Sequence, residues 1–214
     1  MKILIAVPTY ETIYPDTFKS IYQLETGGHE VTFDFVRGYD CATARNNIAQ
    51  KAIDRNADYV LMIDNDVVVP KDALINLASH REGTVLGYYA HRGASNVYEG
   101  RTCICKLFTD KGAQYHNYPL ESEYTAQELV EKREAGQYLL QIHGGGMGCA
   151  LIRVDLFKKI RYPWFDWVNY GGDNRGILSE DLYWCENMKR LKMPVFTDTR
   201  VGCGHMLRRI QWPE

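Results

Sequence analysis

Apolar and polar positions run along the first 90 residues in two alternating rhythms. "KILIAV" is an unbroken apolar run, the pattern of a strand buried on both faces in a parallel sheet. From Pro15 the spacing turns helical, with Phe18, Ile21, Tyr22 and Leu24 on one side and Gly27-Gly28 at the end. "EVTFDFV" alternates as a second strand. Thr43 then stands where it can cap a helix whose inward face is Ala44, Ile48, Ala52 and Ile53. "YVLMI" reads as the third strand, Pro70 as the opening of a helix through Ala73, Leu74 and Leu77, and "TVLGYYA" as the fourth strand. Strands alternating with helices predict a mostly parallel sheet with helices on both sides, and ligands bind beyond the carboxyl ends of such strands.

The second half is less regular. Residues 93–122 are polar and contain glycine, with short strand-like pieces such as "RTCICKLF". "TAQELVEKREAG" carries a capping box, Thr125 to Glu128, and stops at Gly136. "GCALIRV" is a strand pattern followed by a short helix at "DLFKKI", "SEDLYWCENMKRLKM" is a helix capped by Ser179, and "VFTDTRVGCGH" is strand material. The 214 residues suffice for one sizeable core, read as a single domain with a nucleotide-binding half (1–92) and an acceptor-side half (93–214).

Composition narrows the classes. With 45% hydrophobic and 24% charged residues and a formal net charge of −2, the chain is neither disordered nor basic like a typical nucleic-acid binder. No apolar run approaches a membrane span, and the six apolar residues before Pro8 are too few for the core of a signal peptide. The six cysteines show no zinc spacing and read as free thiols in a reducing compartment, so the expected location is the cytoplasm.

Candidate chemistry starts at "DYVLMIDNDVVVP", where a greasy strand runs into Asp64, Asn65 and Asp66. These residues fit a polar turn. They equally fit a cation site, because two carboxylates two residues apart can share a divalent ion with phosphate oxygens. His205, after Gly202-Cys203-Gly204, is either a satisfied lone histidine or an ion ligand, and a mixed oxygen and imidazole set favours Mn²⁺ over Mg²⁺. Glu180 and Asp181 sit in the first turn of a helix, where acids gain roughly 0.3–1 kcal/mol from the dipole; one of them facing the cleft could instead be a general base. "IHGGGMG" looks like a lipase oxyanion turn, but the chain has no Gly-x-Ser-x-Gly elbow, and Cys149 replaces the third glycine of a dinucleotide fingerprint. It reads as a flexible loop free of side chains, open to a substrate.

Together these segments resemble a GT-A type glycosyltransferase, close to the inverting family 2 pattern. "VPTYE" resembles the first-strand exit, "ATARNNIAQKAIDRNADYVLMIDNDVVVP" the helix leading to the Asp-x-Asp, "GGGMGCALIRVDLFKKI" the acceptor-side glycine segment, and "SEDLYWCENMKRLKMPVFTDTRVGCGH" the Glu-Asp helix and late histidine. The matches follow the family's order across nearly the whole chain.

The resemblance implies an α/β, Rossmann-like nucleotide-sugar-binding fold and a donor that is a nucleotide sugar, most simply a UDP-sugar, with a glycan or other hydroxyl acceptor. Pro8, Thr9, Glu11, Arg45, Asp64, Asn65 and Arg92 would hold the donor. Asp66, His205 and Asp64 would hold Mn²⁺ or Mg²⁺. Asp181, supported by Glu180, would be the base, and Gly145, Gly146 and Trp164 would lie on the acceptor side. The chain stops nine residues after His205, which suggests a minimal catalytic unit of the kind found in phages, algal viruses and bacterial glycan clusters, or one domain of a longer polypeptide. Competing expectations are a sugar-phosphate nucleotidyltransferase, whose Gly-rich basic loop "PTYETIYPD" lacks, and a binder of the same fold without turnover.

Overall fold

A computed structural model describes residues 1–91, 100–107, 122–169 and 177–206. In chain order the first half forms β1 (Lys2–Thr9), α1 (Pro15–Tyr22), β2 (Glu30–Arg37), α2 (Cys41–Asp54), β3 (Tyr59–Ile63), β4 (Val67–Val68), α3 (Ala73–Ser79) and β5 (Thr84–Tyr88). The second half adds β6 (Arg101–Cys105), β7 (Glu123–Thr125), α4 (Ala126–Glu134), β8 (Leu139–Ile142), β9 (Gly144–Gly145), β10 (Cys149–Arg153), β11 (Val168–Asn169), β12 (Ile177–Leu178), α5 (Glu180–Arg190), β13 (Val195–Gly202) and β14 (Gly204–His205).

Seven strands make the central sheet in the order β2-β1-β3-β10-β5-β13-β8. β1 pairs parallel with β2 and β3, and β5 with β13, while β10 and β8 run antiparallel to their neighbours. The mostly parallel sheet expected from the sequence is therefore present, and the second half of the chain supplies three of its strands, one of them in the centre. All five residues of β3 are buried, consistent with about 1.5–3 kcal/mol for each large apolar side chain removed from water. Every cysteine is a free thiol, and among the described residues no helix is long and apolar enough to cross a membrane.

Several local expectations change. The buried side of α1 is Thr17, Ser20 and Ile21, whereas Phe18 and Tyr22 are 47% and 83% exposed. The reason is polar: the Ser20 hydroxyl donates to Thr17 O (2.8 Å) and accepts from Val69 N–H (3.1 Å), which turns the serine inward and Phe18 out against Phe35. Asp40, not Thr43, caps α2, accepting from the Thr43 N–H (2.8 Å) and hydroxyl (3.1 Å). Pro70 lies in the turn before α3 and accepts from Ala73 N–H. Ser179 occupies the cap position of α5 without a side-chain capping bond, and "DLFKKI" lies largely in a 3-10 turn, Val154–Lys158. The capping box of α4 is complete, and Gly136 follows the helix at φ 75°.

Candidate active site

The carboxyl ends of β1 and β3 and the first turns of α2 meet at one edge of the sheet. Asn65 donates its side-chain amide to Thr12 O (2.8 Å) and accepts from Tyr14 N–H (3.0 Å), while the Thr9 hydroxyl donates to the same Thr12 carbonyl (2.9 Å). These bonds tie the loop after β1 to the Asp64-Asn65-Asp66 turn. Pro8 is buried inside β1, and Glu11 is exposed beyond it.

Arg45 is the centre of the acid cluster. Its side chain is 1% exposed and forms a fork onto Asp64, with Nη1 to Oδ1 at 3.0 Å and Nη2 to Oδ2 at 3.2 Å. Nε faces Glu180 Oε1 at 3.5 Å, and Nη2 faces Asp181 Oδ1 at 3.4 Å. Thus one guanidinium is surrounded by three carboxylates. Burial alone would depress Arg45, but Asp64, Asp181 and Glu180 together hold it well above the ordinary arginine value.

Asp181 moves the other way. Burial raises it well above a normal carboxyl, Arg45 opposes that, and Glu180 and Asp64 add to the rise. Its Oδ1 is buried without a hydrogen-bond partner, while the side chain keeps 21% of its surface open. Glu180 is buried. An acid with a raised proton affinity and one accessible edge suits proton transfer.

Asp66 and His205 meet on a separate two-stranded ribbon. β14 pairs with β4, His205 opposite Val67, and Met206 N–H donates to Asp66 O (2.9 Å). His205 Nδ1 lies 2.8 Å from the Ala90 carbonyl. A carbonyl only accepts, so Nδ1 carries the proton, and in the neutral ring Nε2 presents its lone pair. That Nε2 lies 3.9 Å from Asp66 Oδ1. An imidazole oriented through its other nitrogen, beside a carboxylate, fits a divalent ion.

The expected three-ligand set is not assembled. Asp64 directs both oxygens to Arg45, and among the described residues no group of three acids, histidines or cysteines gathers where one ion could be held.

The glycine run also differs from a flexible loop. Gly144 and Gly145 form β9 and pair with β6. A Cβ on Gly145 would come within 2.8 Å of Ile104 Cδ1, one on Gly146 would overlap the Tyr89 hydroxyl, and one on Gly148 would stand 2.9 Å from the Tyr89 ring. These glycines make room for neighbouring side chains. Trp164 is 6% exposed, donating Nε1–H to Phe157 O (2.7 Å), and so belongs to the core. Arg92 lies outside the described residues.

At the exits of β1 and β2, Tyr10, Glu11, Arg37, Tyr39, Thr43 and Asn47 line an open cleft of about 640 Å³. Tyr10 and Tyr39 are 65% and 93% exposed. Apart from Glu11 and Thr43, the sequence reading passed over these residues. The available signal was position: Tyr10 follows Thr9 at the exit of β1, and Tyr39 follows β2 through Gly38.

The architecture around this edge is the GT-A type of α/β fold. Two solved structures show it. A197 from STIV superposes with a TM-score of 0.62 at 15% identity, over 97% of this chain and 87% of that one. GalNAc-T7, solved with UDP, GalNAc and Mn²⁺, superposes with a TM-score of 0.62 at 11% identity over 98% of this chain. The present chain spans only 44% of the GalNAc-T7 chain. No protein-family model matches the sequence, and no curated protein does.

Proposed function

We propose that the protein is a metal-dependent glycosyltransferase that moves a sugar from a nucleotide sugar, a UDP-sugar, to a hydroxyl of a glycan or other acceptor. The observation that carries this reading is the buried guanidinium joining the Asp-x-Asp turn to the candidate base, Arg45 between Asp64 and Asp181. The UDP and Mn²⁺ of the GalNAc-T7 structure support the choice of nucleotide and ion.

Each group then has a task. Tyr10 and Tyr39 would flank the nucleobase, since every base has a face that stacks on an aromatic ring. Asp66 and His205 would hold the ion, whose chemistry is to compensate the charge developing on the diphosphate as the glycosidic bond breaks. Arg45 keeps Asp64 and Asp181 in register with each other. Asp181, in its ionised form, would take the proton of the acceptor hydroxyl as its oxygen bonds to the anomeric carbon and the diphosphate leaves from the opposite face. Inversion follows from that placement.

Thermal unfolding of wild type and Asp66→Ala with UDP, GDP, CMP or ADP, each with and without Mn²⁺, tests the proposal. At 100 times its dissociation constant a ligand stabilises by about 2.7 kcal/mol, a rise of roughly 5–11 °C for a domain of this size. UDP should give that rise only with Mn²⁺ and only in wild type. A melt that no nucleotide shifts would overturn the reading.

A further inference from the structure

The glycine run and His205, far apart in sequence, are joined by one side chain. Tyr89, at the exit of β5, is buried, and its ring packs edge-on against the His205 imidazole with centroids 5.0 Å apart. The next residue, Ala90, supplies the carbonyl that accepts the hydrogen bond from His205 Nδ1–H. The Tyr89 hydroxyl accepts the Gly148 N–H at 3.0 Å, and the Gly148 carbonyl accepts the Asp64 N–H at 3.0 Å. On the backbone, Tyr89 O accepts from Cys103 N–H and Cys103 O from Gly146 N–H, both at 3.0 Å. The phenol is therefore fixed at both ends. Gly146 and Gly148 are the positions where any side chain would strike it.

We propose that Tyr89 is a positioning residue: its ring sets the His205 imidazole with Nε2 toward Asp66, and its hydroxyl fixes the Gly146–Gly148 segment against the Asp64 turn. Loss of the ring frees the imidazole to rotate and weakens its bond to Ala90. That the oriented imidazole serves a divalent ion rests on the function proposed above; the orientation itself does not. Partners that orient an ion-binding histidine commonly change metal affinity about 10–100-fold when removed.

The test uses the full chain labelled with ¹⁵N at histidine and glycine, as wild type, Tyr89→Leu and Tyr89→Phe, with His205→Gln to assign the resonance. Mn²⁺ alone is titrated in parallel by electron paramagnetic resonance. Wild type should show His205 as the Nδ1–H tautomer. Tyr89→Leu should average the two ring nitrogens and weaken Mn²⁺ about 10–100-fold. Tyr89→Phe, which keeps the ring, should preserve the tautomer while the Gly148 amide exchanges faster with solvent.

A Tyr89→Leu protein with the wild-type tautomer and Mn²⁺ affinity overturns the proposal. Should wild type itself bind no Mn²⁺, the ion reading fails and the tautomer comparison alone decides the role of Tyr89. Should Tyr89→Leu fail to fold, Gly148 exchange in Tyr89→Phe decides it, and unchanged exchange counts against it.

Discussion

Arg45 carries the heaviest electrostatic duty of any residue in the site, because three acids face its one buried charge. Removing one partner of a buried ion pair costs about 3–5 kcal/mol, since the remaining charge stays desolvated. Arg45→Met, which keeps most of the apolar stem, is expected to lower the melting temperature by roughly 6–20 °C. Asp181→Asn should act in the opposite sense. It removes like charge beside Glu180 and Asp64 and is expected to stabilise by about 0.5–2 kcal/mol, as relief at a functional site often does. The pH dependence gives the same sign. Asp181 binds its proton more tightly folded than unfolded, so above its ordinary value of 3.8 the unfolded chain releases the proton first. Its contribution falls as pH rises from 3.8 toward the folded value and stays lost above it. Urea titrations at acid and neutral pH should show Asp181→Asn gaining most at neutral pH. A variant less stable than wild type there would refute the repulsion argument.

Among the elements, α2 is the platform, because adjacent residues on it serve two parts of the molecule. Arg45 holds the acids. Asn46 accepts from the Trp164 and Phe165 N–H groups (3.0 and 3.1 Å) and donates to Phe165 O (2.7 Å). Asn46→Ala leaves two buried donors unsatisfied at about 1–3 kcal/mol each. A loss of roughly 2–6 kcal/mol by chemical denaturation is expected. The strands were legible because "KILIAV" and "YVLMI" read as buried without reference to anything distant, and the Thr125–Glu128 capping box is complete within four residues. The misread parts depend on remote partners. The glycine run looked like an open loop because Tyr89 stands 59 residues from Gly148. The local pattern of α1 buries Phe18 because nothing local shows that Ser20 bonds Val69, 49 residues on. The acids at 64, 66, 180 and 181 were visible as chemistry, but their division between Arg45 and His205 is a property of the packed sheet.

At the scale of the whole molecule, the tyrosine cleft and the Asp66–His205 pair stand on different parts of the sheet edge, the first at the exits of β1 and β2, the second on the β4–β14 ribbon. Under the proposed function a nucleoside diphosphate spans both, its base in the cleft and its phosphates at the ion. Two ligands that meet in this way must help each other equally: whatever factor Mn²⁺ contributes to UDP affinity, UDP contributes to Mn²⁺ affinity. Calorimetric titration of each ligand in the presence and absence of the other measures both factors. Tyr39→Ala should remove stacking of about 1–3 kcal/mol from UDP binding while leaving the affinity for Mn²⁺ alone unchanged. His205→Ala should weaken Mn²⁺ directly and UDP only in the presence of the ion. If Tyr39→Ala weakened Mn²⁺ alone, or His205→Ala weakened UDP without metal, the two regions would not be separate subsites joined by a shared ligand. The reciprocal factor would then have to arise from a change in the fold itself.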